Sequence, residues 1–110
     1  MDWTVEQRGS ALVGRPVGRV DEGTWEAFGA RLTEAVGTAA ADGRKLIVDF
    51  SALDYMSSRG LRAITLARRA ADDQGVTIVL AAPNDIMREI LAISRYDKIF
   101  TVADNVEAAL

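Results

Sequence analysis

The N-terminal segment has the alternating pattern of a strand pair. Residues 3–8 alternate apolar and polar side chains, and the glycine and serine at 9–10 form a turn signal. Apolar stretches follow at residues 11–13 and 17–20, so we predict an antiparallel hairpin. We expect Pro16 at an unpaired position or a bulge, because proline has no N–H group to donate to a ladder.

Three further segments have the composition of strands. Residues 45–50 and 76–82 are nearly continuous apolar runs, which are typical of strands that other elements cover on both faces. Residues 99–102 form a shorter run of the same kind. We therefore predict two buried strands and a short final strand.

Helical periodicity occupies the intervals between these strands. Apolar side chains recur at helical spacing in the first interval, at Trp25, Phe28, Leu32, Ala35, Val36 and Ala39. This helix is predicted to end near residues 41–43. A second helix runs from Arg59 to a stop signal at residues 73–75. A third follows Asn84 as its N-cap, and residues 105–110 form a last helical turn or two.

The order of these elements predicts the fold class. Strands that alternate with helices imply right-handed crossovers and a mostly parallel sheet. We predict one α/β domain over residues 1–110, with a mixed sheet of about five strands, an N-terminal antiparallel hairpin and about four helices. Functional sites in such sheets collect at the C-terminal ends of the strands.

Two serines stand at such an end. Ser57 and Ser58 lie between the buried strand and the second helix, in a segment over residues 54–60 that we interpret as a loop. Free N–H groups and the helix dipole at a helix N-terminus favour a negative group such as a phosphate. Serine is also a preferred N-cap, so capping alone can explain either residue.

Composition excludes several kinds of chemistry. Thirteen basic and sixteen acidic residues give a net charge of −3, which offers no general attraction to nucleic acid. The chain has no cysteine and no histidine, which removes disulfides, thiolate nucleophiles, histidine catalysis and most transition-metal sites. Glycine-rich nucleotide motifs are missing, and so are the acidic pair and lysine of a receiver domain. We therefore expect no enzyme, no metal and no cofactor.

The sequence also gives no sign of membrane insertion. No apolar run approaches the roughly 20 residues that a membrane span requires. The first residues lack the basic and apolar regions of a leader segment. We expect a cytoplasmic location.

Residues 49–61 resemble the phosphorylation segment of STAS-domain anti-sigma factor antagonists. Those proteins carry the pattern D-[LF]-S-x-[VL]-x-[FY]-[MI]-D-S-[ST]-G-L, in which the serine after the second aspartate is phosphorylated. Met56 and residues 60–61 match this pattern. Ser58 falls on the phosphoacceptor, and Ser57 replaces the usual aspartate. The resemblance implies that Ser58 is the phosphoacceptor, with Ser57 as the alternative.

The resemblance extends beyond this segment. Residues 18–21 are similar to the family's G-E-[LI]-D sequence before its first helix, and the predicted element order agrees over essentially the whole chain. Arg59 stands where a small residue is commoner. A single STAS-like domain is the fold that the resemblance implies.

The family's mechanism is partner switching. The unphosphorylated antagonist binds an anti-sigma factor, often itself a GHKL-type serine kinase, and phosphorylation of the serine breaks this complex. A PP2C-type phosphatase restores it. The resemblance thus implies a substrate and switch, present as a monomer or as a weak dimer through its sheet edge.

Eight residues around the serines are predicted to contact the partner: Asp21, Asp54, Tyr55, Met56, Ser57, Arg59, Gly60 and Arg62. Each has a simpler structural explanation. The acidic residues can be a helix cap or a solvated charge, and the arginines can be solvated helix charges. Tyr55 and Met56 can belong to the core, and Gly60 can serve a close contact between helix and sheet.

One alternative function remains open at this stage. A STAS domain can act as a scaffold or docking subunit without switching, as in a stressosome-like assembly or a lipid-transport complex. Whether a kinase phosphorylates the serine distinguishes the two functions.

Overall fold

Six strands form one mixed sheet in the structure, a computed structural model that describes all 110 residues. The strands are β1 (Asp2–Arg8), β2 (Ala11–Val20), β3 (Lys45–Asp49), β4 (Leu53–Met56), β5 (Ile78–Ala81) and β6 (Thr101–Ala103). Their order is β1-β2-β3-β5-β6, and β4 also pairs with β2. Only the β1–β2 hairpin is antiparallel, so the predicted mixed, mostly parallel α/β fold is confirmed.

The long strand β2 has two successive parallel neighbours. Residues 11–14 pair with β3, and residues 18–20 pair with β4. Pro16 lies between these two sets, where β2 has no parallel partner, and stands opposite Trp3 of β1. The expected unpaired position is therefore found only on the side of the parallel strands, and on the other side Pro16 remains in register with β1.

Strand β4 corrects the sequence prediction. We expected a loop over residues 54–60, but residues 53–56 form a strand and the next helix begins at Ser58. The strand has only four residues and pairs with the distant end of β2. No local periodicity marks so short a strand, and the predicted number of about five strands was therefore one too few.

Four α-helices connect and flank the strands, as predicted. They are α1 (Trp25–Asp42), α2 (Ser58–Gln74), α3 (Asp85–Ile93) and α4 (Val106–Ala109), with a 3₁₀ turn at Tyr96–Lys98. Helices α1 and α2 both end at a glycine, Gly43 and Gly75, in the left-handed conformation with φ of 65° and 72°. Asn84 caps α3 as expected, since its Oδ1 accepts from the Met87 N–H at 2.8 Å.

The core lies on both faces of the sheet. Helices α1, α2 and α3 pack on one face, where the large buried side chains include Phe28, Leu32, Leu46, Phe50, Leu53, Met56, Ile64, Leu80, Met87 and Leu91. Helix α4 covers the other face through Val106 and Ala109. Strand β3 is covered on both sides, which explains its continuous apolar sequence. None of the helices combines the length and apolar character of a membrane span.

Candidate functional site

The two serines lie where β4 passes into α2, at the C-terminal edge of the parallel sheet. Strand β4 runs parallel to the end of β2, with Tyr55 opposite Arg19 and Met56 opposite Val20. The Ser57 N–H then donates to the Val20 carbonyl at 2.8 Å, which continues this pairing by one residue. The start of α2 is thus fixed to the sheet immediately before Ser58.

Ser57 and Ser58 have different roles in the helix terminus. Ser57 has extended φ and ψ of −77° and 171°, and its Oγ accepts from the Gly60 N–H at 3.4 Å, so it is the N-cap. Ser58 is the first helical residue, and its side chain is exposed and makes no hydrogen bond within the chain. The Ser58 hydroxyl is therefore the one that a partner can reach without disturbing the cap.

Gly60 allows α2 to approach β4 closely. A Cβ atom at this position would stand 2.5 Å from the Met56 Cγ and 2.7 Å from the Val20 Cγ1, which is closer than any side chain tolerates. Gly60 is buried, and Met56 is only 1% exposed within the main core. Both residues were predicted to contact the partner; neither offers a side chain to the surface, and their contact with a partner stays a prediction.

Tyr55 lies on the surface of β4 beneath an arginine. The Arg19 Cζ lies 4.8 Å from the centre of the Tyr55 ring, and its Nε lies 3.7 Å from Asp21 Oδ2. Tyr55 is half-buried, and Asp54 beside it is exposed. The ring of Tyr55, the guanidinium of Arg19 and the carboxylate of Asp21 thus form one patch beside the serines.

Asp21 organises the turn from β2 into α1. Its Oδ1 accepts from the Gly23 N–H at 3.0 Å and from the Thr24 hydroxyl at 3.2 Å. Its own N–H donates to Thr24 Oγ1 at 2.9 Å. Thr24, rather than Asp21, is the N-cap residue of α1, which corrects the capping explanation of Asp21. The carboxylate remains partly exposed and faces the same edge of the sheet as the serines.

The two arginines that follow Ser58 differ in their surroundings. The Arg59 Nε lies 3.5 Å from Glu22 Oε1, and its Cζ lies 5.3 Å from the centre of the Trp25 ring. Arg62, one turn further along α2, is exposed and makes no ion pair or side-chain hydrogen bond. The structure thus brings two of the predicted cations close to the serines and leaves one of them unpaired.

Four residues of this region were absent from the predicted site: Arg19, Glu22, Trp25 and Asn84. The Asn84 Nδ2 donates to the Leu53 carbonyl at 3.0 Å and so ties the start of α3 to β4. The only sequence signal for Arg19 was its place among residues 18–21, within the stretch that resembles the family. Contacts of this kind join residues far apart in sequence, and no local pattern indicates them.

No group of three or more carboxylates is arranged to hold a metal ion.

Comparisons with known proteins agree with this geometry. A family model of the STAS domain matches residues 2–109. The protein BtrV of Bordetella bronchiseptica, a proposed anti-sigma factor antagonist, is 30% identical over 109 residues, which are 99% of this chain and 91% of BtrV.

Solved structures share the fold at lower identity. A proposed anti-sigma factor antagonist of Thermotoga maritima has a TM-score of 0.85 at 15% identity and covers 97% of this chain and 90% of its own. The anti-sigma factor antagonist SpoIIAA in its unphosphorylated form has a TM-score of 0.75 at 20% identity, with coverage of 98% and 93%. Its phosphorylated form, from Bacillus, has a TM-score of 0.66 at 22% identity, with coverage of 98% and 96%. At these identities the structures show a common fold. Together with the family model and the match to BtrV, they establish that this chain belongs to the STAS-domain family of anti-sigma factor antagonists.

Proposed function

We propose that this chain binds an anti-sigma factor while Ser58 is unmodified and releases it when Ser58 is phosphorylated. The observation that carries this proposal is the contrast between the two serines, because only Ser58 has an exposed hydroxyl without a hydrogen bond. The relatives support it, since SpoIIAA is an anti-sigma factor antagonist that exists in phosphorylated and unphosphorylated forms.

The partner in this proposal is an anti-sigma factor that is itself a GHKL-type serine kinase. A PP2C-type phosphatase returns the chain to its binding form. The chain contributes the hydroxyl that receives the phosphoryl group and the surface that the anti-sigma factor binds. It acts as a substrate and not as a catalyst.

A phosphate on Ser58 is compatible with the folded domain. It adds roughly −1.5 to −2 charges at the first residue of α2, where free N–H groups and the helix dipole favour negative charge. Arg59 and Arg62 are nearby cations on the same helix. The modification therefore leaves the fold intact, and it releases the partner by bulk, by desolvation or by repulsion from the partner's carboxylates.

The proposed partner surface surrounds Ser58. It includes the half-buried ring of Tyr55, the exposed guanidinium of Arg59, and the carboxylates of Asp21 and Asp54. Aromatic and arginine side chains are the residue types that most often dominate binding energy at the centre of an interface. Arg62 lies at the edge of this surface.

Phosphorylation of the purified chain tests the proposal directly. The chain is incubated with a purified GHKL-type serine kinase and magnesium-ATP, and intact-mass and fragment-ion spectra are recorded for wild type, Ser58→Ala and Ser57→Ala. We expect one phosphate in wild type and Ser57→Ala, and none in Ser58→Ala. A phosphate at Ser57 instead would make Ser57 the phosphoacceptor and would leave the proposed mechanism unchanged. No phosphate from a demonstrably active kinase would favour the non-switching scaffold.

Mimicry of the phosphate provides a second test. We expect Ser58→Asp to unfold at the same denaturant concentration as wild type and to bind the anti-sigma factor at least about tenfold more weakly, because an uncompensated charge enters the interface. Ser10→Asp is the matched control, since Ser10 is an exposed serine in the β1–β2 turn. Equal affinities of wild type and Ser58→Asp in calorimetry would contradict the switch.

A further inference from the structure

The pair of helices beside Ser58 forms a groove that shares Arg59 and Arg62 with the proposed partner surface. The groove has a volume of about 470 Å³ and is lined by Trp25, Gly29, Thr33, Arg59, Arg62, Ala63 and Leu66. This volume lies within the range of roughly 300–1,000 Å³ that is typical of small-molecule sites. From Arg59 to Leu66 the groove follows eight residues of α2, and the seven steps between them at about 1.5 Å of rise each span roughly 10 Å.

The groove has a polar end and an apolar end. Both helices begin at the same end, where Arg59 stands beside the Trp25 ring and Arg62 follows one turn later. Further along the two helices the lining consists of Gly29, Thr33, Ala63 and Leu66, and Leu66 is 48% exposed although it is a large apolar side chain. An occupant must therefore be apolar along most of its length.

The only charged side chains of the groove are two guanidinium groups. The Thr33 hydroxyl already donates to the Gly29 carbonyl at 3.0 Å, so it can only accept from a ligand, and Arg59 and Arg62 are the only cations that can pair with an anionic group. The Arg59 guanidinium already forms an ion pair with Glu22, whereas Arg62 has no carboxylate within 4 Å. A permanently charged, unpaired guanidinium beside an apolar trough is complementary to a carboxylate on an apolar chain.

We propose that this groove binds a small amphiphilic carboxylate, with its carboxylate on Arg62 and its aliphatic chain between Trp25 and Leu66. A straight chain of about eight carbons is about as long as the whole groove, which extends roughly 10 Å along α2 from Arg59 to Leu66. Arg59 follows Ser58 directly in the chain, so an occupied groove would be adjacent to the proposed phosphorylation site. This inference goes beyond the switch, and its test contains neither kinase nor anti-sigma factor, so the two proposals can fail independently.

Titration with octanoate tests the proposal. Nitrogen–proton correlation spectra of the labelled chain are recorded while octanoate is added below its micelle concentration. We expect saturable shifts of the backbone amides of Gly29, Thr33, Ala63 and Leu66. Octanol, which has the same chain without the charge, is expected to bind at least about fivefold more weakly.

Two variants identify the group that recognises the charge. We expect Arg62→Gln to weaken octanoate binding roughly fivefold or more, while its spectrum remains that of a folded domain. Arg69→Gln is the matched control, because Arg69 is an exposed arginine on the same helix outside the groove, and it should bind like wild type. Non-saturable shifts, shifts centred elsewhere, equal binding of octanol, or unchanged binding by Arg62→Gln would each overturn the proposal.

Discussion

Replacing Gly60 with alanine tests the close contact that fixes the start of α2. The added Cβ would stand 2.5 Å from the Met56 Cγ and 2.7 Å from the Val20 Cγ1. Met56 can turn away by rotating its chain, but Val20 is β-branched and buried, so its methyl group cannot move without shifting β2. The helix or the strand must therefore give way.

The size of the effect follows from two opposing contributions. Alanine in place of glycine favours the helix by about 1 kcal/mol at most. Inserting a methyl group into a well-packed site typically costs about 1–3 kcal/mol, and two contacts below 3 Å place this site at the upper end. We expect Gly60→Ala to lower the free energy of unfolding by about 1–2 kcal/mol.

Gly37 provides the matched control. It lies within α1, and a Cβ at this position would meet no atom within 4 Å. Gly37→Ala should therefore raise the free energy of unfolding by about 0.5–1 kcal/mol. Urea unfolding, followed by the helical circular dichroism signal, measures both variants. If Gly60→Ala were as stable as wild type while Gly37→Ala was stabilised, the argument from close packing would be refuted.

Two further predictions concern caps and a surface ion pair. Asn84→Ala removes both the cap of α3 and the hydrogen bond to the Leu53 carbonyl, and should lower the free energy of unfolding by about 1–2 kcal/mol. Ser57→Ala removes a longer cap bond of 3.4 Å, so it should lower the free energy of unfolding by less in the same urea assay. A larger loss for Ser57→Ala than for Asn84→Ala would contradict the relative strength of these two caps. The hydrogen bond from Arg8, at 2.7 Å, lowers the pKa of Glu107 below its ordinary value of 4.5. The ion pair therefore stabilises the folded chain fully above pH 4.5, and this stabilisation disappears as the pH falls through the lowered pKa. Wild type should therefore be slightly more stable than Glu107→Gln at about pH 7, the two should converge in acid, and salt should reduce the difference. A difference that does not change with pH would contradict this.

The sequence alone determined the elements whose signals are local. The apolar spacing of α1, the continuous apolar run of β3 and the cap at Asn84 each depend on residues close together in the chain, and the structure has all three. The alternation of strands and helices was enough to predict the α/β class. The same pattern placed the two serines at a strand end, and the resemblance to the family added the prediction that Ser58 is the phosphoacceptor.

Tertiary structure decided the features that join distant segments. Strand β4 exists because it pairs with the end of β2, and the four residues themselves carry no signal of it. The same pairing buries Met56, requires a glycine at position 60 and brings Arg19 over Tyr55. Which serine caps the helix and which remains free also depends on this geometry. Such contacts depend on how the chain closes on itself in space, and local propensity contains no information about that closure.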